Sequence, residues 1–229
     1  MNKNAHAWEK EYQRPQFLTL GTEPLTVVKE FCKWLRREEK VDLEKCTVLD
    51  LGCGNGKNVK YFVEGYTQSG IGYDISKTAI SEAKKLSEGL DITYEVRSIG
   101  EIFPLQNESI DIVLDVTSSN SLNESEREIY LQEILRVLKP EGYLFVRALC
   151  LDGDKNAKQL IKDHAGSEKD TYLLPEVGIT ERVFIKEDLI NLYGSHFEIA
   201  HLEKTAGYQK WGNQSYKRNY WVMYAKMKS

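Results

Sequence analysis

From Cys46 onward, short apolar runs alternate with longer amphipathic ones: CTVLD, KNVKYFVEGY, SGIGYD, SKTAISEAKKLSE and DITYEVRS. That alternation predicts parallel strands linked by crossover helices. SIDIVLDVT reads as the next buried strand and ESEREIYLQEILRVL as the next helix, with Ile129, Leu131, Ile134, Leu135 and Leu138 on roughly one stripe. Pro140 and Gly142 are expected to end that helix before the strand around GYLFVRAL. Ahead of this core, a helix is expected from about Pro24 to Glu39, capped by Thr22, behind a short arm. In the arm Trp8 and Tyr12 stand one helical turn apart and can share a face.

After Cys150 the pattern changes. LDGDKNAKQLIKDHAGSEKDTYLLPEVG is polar, supports two short helical stretches at best, and reads as an insertion. KEDLINLYGSHFEIAHLE then gives a helix and a strand, a turn is expected around Gly207 to Gly212, and YKRNYWVMYAK returns as the second strand of a hairpin. The predicted architecture is α/β: a three-layer αβα sandwich on a mostly parallel seven-stranded sheet with a C-terminal antiparallel hairpin. One domain, 1–229, divides into an arm (1–23), a leading helix (24–40), a ligand-binding core (41–150), an insertion on the substrate side (151–182) and a sheet-completing helix and hairpin (183–229).

Composition narrows the partner. The 229 residues are 41% hydrophobic, enough for one sizeable core. A net charge of -4 argues against a surface built to neutralise nucleic-acid phosphates, so a small ligand fits better. The mix of aromatic and basic residues in YQKWGNQSYKRNYWVMYAK resembles a stacking platform, but its alternation suits a two-faced closing strand better. Four cysteines without CxxC or metal spacing, no apolar signal core and no run of ~20 apolar residues predict a soluble cytoplasmic protein without bound metal, monomeric or homodimeric.

The candidate chemistry lies in VLDLGCGNGKN, Val48 to Asn58. A P-loop would need a glycine where Leu51 stands and Ser or Thr where Asn58 stands; a dinucleotide fingerprint would need its third glycine one position beyond Gly56. The spacing is GxGxG, through Gly52, Gly54 and Gly56. Asp50, ahead of the turn, would repel a pyrophosphate but suits an ammonium or a sulfonium. Asp74, ending the next strand about 20 residues on, stands where a carboxylate holds a ribose diol. The two acids specify a nucleoside with a cationic tail.

With these residues, Leu49 to Asp111 resembles the class I S-adenosylmethionine-dependent methyltransferases, a Rossmann-like family. PLQNESIDIVLD is similar to that family's fourth-strand segment and EILRVLKPEGYLFV to its fifth. The resemblance implies S-adenosyl-L-methionine as cofactor. It would place Gly52, Cys53, Gly54 and Asn55 against the methionine part with Asp50 near its ammonium, Asp74 on the ribose, and Ile75 on the adenine. The family's usual acid for the adenine amino group is missing: Ile99 stands there beside Ser98, and either Ser98 or Glu101 would substitute or backbone groups alone would read the ring. Asp115 would face the methionine end or the substrate, whereas Asp111, at the start of its strand, reads as structural.

Catalytic residues are not defined by the sequence; His164 and Asp115 are the candidates. Trp8, Tyr12, Arg147, Tyr172, Arg182 and Trp211 lie on segments expected around a substrate, and an arm like that of Trp8 and Tyr12 is a common lid in this family. No NPPY, DPPY or PC motif occurs, which disfavours base methylation of nucleic acid. Transfer to O, N or S of a small molecule is the expected reaction. A peptide or RNA acceptor, aminopropyl transfer and a non-catalytic cofactor-binding subunit stand as alternatives.

Overall fold

The computed structural model describes residues 3–16, 18, 21–211 and 214–228. Five parallel strands form the centre of the main sheet: β1 (Thr47–Leu51), β2 (Ser69–Asp74), β3 (Ile92–Val96), β4 (Ile110–Val116) and β5 (Leu138–Leu149). A small separate sheet pairs β6 (Thr171–Leu174) with β7 (Ile179–Arg182), and the long hairpin strands β8 (Phe197–Trp211) and β9 (Gln214–Met227) complete the main one. Its order is β3-β2-β1-β4-β5-β9-β8, with β9 antiparallel to both neighbours. The chain is thus the α/β three-layer sandwich that its alternation predicts.

Side-chain parity sorts the core into two layers. Val48, Ile112, Leu114 and Phe145 point to the face covered by α2 (Thr26–Arg37), α3 (Lys57–Gly65) and α4 (Lys77–Leu86), through Phe31, Val59, Phe62 and Ile80. Leu49, Val113, Leu144 and Val146 point the other way, under α5 (Glu124–Val137) and α7 (Lys186–Tyr193), against Tyr130, Ile134 and Leu189. Because the connections leave β1 and β4 in opposite directions, a crevice opens between their carboxyl ends, where open α/β sheets bind ligands.

Several expectations need correction. α2 starts after Leu25 with no side-chain cap; Thr22 lies outside it, and the Leu25 N–H donates instead to Asn58 Oδ1 at 3.2 Å. α5 runs directly into β5 at Leu138, so Pro140 and Gly142 lie within the strand. Its buried stripe is Arg127, Tyr130, Glu133, Ile134 and Val137, while Ile129 is exposed. The strand β8 continues through Gly207, which pairs with Arg218, as far as Trp211, and β9 begins at Gln214; residues 212–213, part of the expected turn, lie outside the described residues.

The insertion holds one helix, α6 (Lys155–Asp163), and the β6–β7 hairpin, where the sequence suggested helices. A buried polar chain ties it to β9. Asp154 caps α6 through the Ala157 N–H and accepts from Arg218 Nε at 3.2 Å; Arg218 also donates to the Tyr172 hydroxyl, which donates to Glu181 at 2.7 Å. The N-terminal arm is likewise a helix, α1 (Lys3–Gln13), in contact with α4 on one side and β7 on the other.

Candidate functional site

Gly52, Gly54 and Gly56 all have positive φ, between +56° and +77°, a region that residues with a Cβ avoid. At Gly54 a Cβ would also sit 2.6 Å from the Tyr12 hydroxyl. The turn is pinned by the Cys53 N–H donating to the Tyr73 carbonyl and by the Gly54 N–H donating to Asp74 Oδ2 at 2.9 Å. Asp74 Oδ1 accepts from the Ser76 N–H at 2.8 Å. Both its oxygens are thereby oriented at the end of β2, and burial raises its pKa to about 6 although those amides oppose the shift.

Asp50 lies beneath the turn, on the α3 face of the sheet. It is fully buried, and neither carboxylate oxygen has a hydrogen-bond partner of good geometry among the described residues. Burial pushes its pKa up to about 7; the Val59 amide dipole and Lys57 oppose this while Asp115 and Asp74 add to it. Such an orphaned acid is costly in the empty protein and is relieved by a cation or strong donor.

One cavity runs over the turn. Gly52, Cys53, Gly54, Asn55, Asp74 and Ile75 form its floor, and Ser98 with Ile99 forms the far wall. Trp8 and Tyr12 of α1 close it from above, their rings 6.5 Å apart. The Tyr12 hydroxyl is held un-ionised, first by burial and then by the charges of Asp74, Cys53 and Asp50. The wall over β4 is Val116, Thr117 and Ser118, with Thr117 at φ +61°.

α1 is fastened over this cavity by polar contacts. Glu9 accepts from Ser76 Oγ, Thr78 Oγ1 and the Thr78 N–H at the start of α4, at 2.7, 2.7 and 3.1 Å. Burial opposes ionisation there, but these bonds outweigh it and lower the Glu9 pKa to about 2. At the other side Asn4 Nδ2 donates to the Ser121 carbonyl at 2.6 Å, and Ala7 packs on Ile179 of β7.

Other sequence candidates lie elsewhere. Asp115 shares the parity of Val113 and turns to the α5 face, where it accepts from Tyr130 Oη at 2.7 Å and from the Ser118 N–H at 2.9 Å; it braces the loop after β4 and does not line the cavity. Tyr172 is fully buried in the Arg218–Glu181 chain, which excludes contact with a ligand. His164 is an exposed residue ending α6, away from the cavity. Glu101 is exposed and also off the cavity wall. Asp111 accepts from the Thr47 N–H and Lys139 Nζ at the opposite end of the sheet. Arg147, near the end of β5, lies over the Tyr220 ring and Arg182, the last residue of β7, over the Phe184 ring; neither lines the cavity, and the Trp211 side chain lies outside the described residues. Sequence reasoning missed Glu9, Asn4, Lys57 and the segment Thr117–Ser118. Only Lys57, directly behind the glycine turn, carried a positional signal.

Among the described residues there is no cluster of three His, Cys, Asp or Glu side chains able to hold a metal, and no helix is long and apolar enough to cross a membrane. The four cysteines are free and buried.

A glycine turn and two acids at the carboxyl edge of a β3-β2-β1-β4-β5 sheet place the chain among the Rossmann-like α/β proteins. The chain belongs to the methyltransferase domain family, whose model matches residues 42–206. Its fold is that of a solved S-adenosylmethionine-dependent methyltransferase of Methanosarcina mazei (TM-score 0.72, 22% identity, 90% of this chain and 99% of that one). It also matches the 1,6-didemethyltoxoflavin N1-methyltransferase of Burkholderia thailandensis, solved with S-adenosylhomocysteine (TM-score 0.62, 15% identity, 99% and 85%). In sequence it is 35% identical over 111 residues to the phthiotriol/phenolphthiotriol dimycocerosates methyltransferase of Mycobacterium tuberculosis, spanning 47% of this chain and 39% of the relative. The likeness to the cyclopropane-fatty-acyl-phospholipid synthase of Escherichia coli is 29% over 112 residues, 48% of this chain and 28% of that one. The match thus covers well under half the length of these curated relatives.

Proposed function

We propose that this protein transfers a methyl group from S-adenosylmethionine to an oxygen, nitrogen or sulfur atom of a small molecule. The observation that carries this is the pairing of an oriented carboxylate, Asp74, with an orphaned buried one, Asp50, on either side of a left-handed glycine turn in one crevice. Asp74 has its lone pairs set to accept from vicinal ribose hydroxyls, and Asp50 stands ready for the ammonium of the methionine part. Ile75 and Ile99 offer apolar faces to the adenine and Ser98 a hydroxyl to its edge. The bound cofactor would supply a methyl group already activated on a sulfonium.

What the chain then contributes is alignment and dryness. The Trp8–Tyr12 cover excludes water, and positioning within such a site is worth effective molarities of ~10⁵ to 10⁸ M. A carboxylate, phenolate or thiolate acceptor needs no base to take a proton from it before attack, so the absence of histidine from the cavity lining, among the described residues, does not oppose the reaction. The relatives named for phthiotriol/phenolphthiotriol dimycocerosates and for 1,6-didemethyltoxoflavin favour a small-molecule acceptor. Four free cysteines support a reducing, cytoplasmic setting.

Calorimetry with S-adenosylhomocysteine tests the reading directly: saturable one-to-one binding is expected, and its absence refutes the assignment. Product mass after turnover then separates a transferred methyl from an aminopropyl group.

A further inference from the structure

The glycine turn stands between two buried acids, Asp50 beneath it and Asp74 at the end of β2. The methionine part of the cofactor carries an ammonium and a carboxylate on one carbon. Asp50 suits the ammonium, but the carboxylate would then enter a covered crevice already lined with negative charge, where an unmatched anion is strongly disfavoured. The cavity must supply a countercharge.

Among the described residues two cations line it, Lys57 and Arg97. Arg97 is already committed on the β3 side: its Nε and Nη2 donate to Glu95 Oε2 at 3.2 and 3.0 Å, and its Nη1 donates to the Ile102 carbonyl at 3.3 Å. Lys57 is not. It is the first residue of α3, directly behind the turn and half-buried, and among the described residues its ammonium has no hydrogen bond and no carboxylate within ion-pair distance. Burial lowers its pKa and the charge of Arg147 adds to this, while Asp50 opposes it from a longer range, since neither Asp50 oxygen has a partner. The acid that acts on Lys57 is thus the one on β1, which sets it at the methionine end of the crevice, away from the β2 and β3 ends where ribose and adenine would lie. The Tyr12 hydroxyl over Gly54 is held un-ionised and offers no charge of its own.

On the methyltransferase reading above, we propose that Lys57 binds the carboxylate of the cofactor's methionine part and selects the intact cofactor over its decarboxylated form. Asp50 and Lys57 then recognise the two charges of the amino acid separately, carboxylate to ammonium and ammonium to carboxylate. Each resident charge gains the partner that it lacks in the protein alone. A site built this way suits methyl transfer and disfavours aminopropyl transfer, because the aminopropyl donor has lost the group that Lys57 holds.

Calorimetry at about pH 8, above the Asp50 pKa of about 7, compares S-adenosylhomocysteine, its decarboxylated analogue, which keeps the ammonium, and 5′-methylthioadenosine, which has neither charge. Wild-type protein should bind S-adenosylhomocysteine at least about tenfold more tightly than the decarboxylated analogue, the scale of one charge-assisted bond. Lys57→Gln should remove most of that preference, weakening S-adenosylhomocysteine at least about tenfold while holding the other two ligands within about threefold. Lys57→Arg, which keeps the charge, should retain part of the preference. Equal affinity of the wild type for S-adenosylhomocysteine and the analogue overturns the proposal. So does a Lys57→Gln variant that keeps the preference, or one that loses all three ligands alike, which marks a structural role. In those cases binding of S-adenosylhomocysteine by the wild type leaves the methyltransferase reading in place; wild-type protein that binds neither S-adenosylhomocysteine nor 5′-methylthioadenosine refutes that reading and the proposal with it.

Discussion

Asp50 and Asp74 carry opposite kinds of information despite being the same residue type. Asp74 is already satisfied by two backbone amides, so its role is directional, and Asp74→Ala should weaken S-adenosylhomocysteine binding at least about tenfold in calorimetry, the loss of a charge-assisted bond pair. Unchanged affinity would remove the ribose assignment. Asp50 is unsatisfied, with a pKa raised to about 7, and it must be ionised to face an ammonium. Binding below that pH has to expel a proton, so affinity should fall by about tenfold per unit as pH drops from 7 towards 5. Calorimetry in buffers of different ionisation enthalpy should show proton release; a flat pH profile would contradict it. In the cofactor-free protein the sign reverses. A carboxylate whose folded pKa is above its ordinary value destabilises the fold when ionised, so its contribution improves as pH falls from about 7 towards 4.

At the scale of elements, α1 acts as a fastened cover, and Glu9 is its main latch on α4. Glu9→Ala should raise the S-adenosylhomocysteine dissociation rate by about tenfold in stopped-flow measurements, with little change in global stability, because only a peripheral helix is released. A dissociation rate equal to wild type would show that the helix does not gate the cavity. The same element shows where sequence reading stops. KNAHAWEKEYQ has no apolar stripe, because the helix docks through Glu9, Asn4 and two aromatic rings. The β6–β7 hairpin was equally hidden: its strands are four residues long, and Glu181 is buried within them by a hydrogen bond that no hydropathy pattern registers. The central strands were legible because parallel strands covered on both faces are continuous apolar runs. That same continuity concealed the parity of Asp115, which decides that it faces Tyr130 and not the cavity.

For the whole molecule, the insertion is tied to the sheet by a buried polar chain, Asp154–Arg218–Tyr172–Glu181, beside an apolar cluster that packs Ala157 and Tyr172 on Leu149 and Tyr220. Arg218→Met would strand two buried acids, and unpairing of this kind costs about 3 to 5 kcal/mol. A clearly lowered denaturation midpoint is expected, with insertion amides in α6 and β6 losing hydrogen-exchange protection first. A uniform loss of protection across the sheet would argue against this route. S-adenosylhomocysteine at about a hundred times its dissociation constant should restore about 2.7 kcal/mol of that loss, through binding to the folded state alone.

The position of β9 has a consequence for how the protein is made. It is the later strand of its hairpin, yet it lies between β5 and β8. During synthesis β5 therefore remains an open edge, and β8 has no place in the sheet, until residues 214–227 have left the ribosome. The nascent chain must carry an unpaired apolar strand, with Leu144 and Val146 not yet covered along that edge, through the making of some 65 further residues. The methyltransferase core can assemble its glycine turn early, but it becomes safe from edge-to-edge association only with nearly the last strand translated.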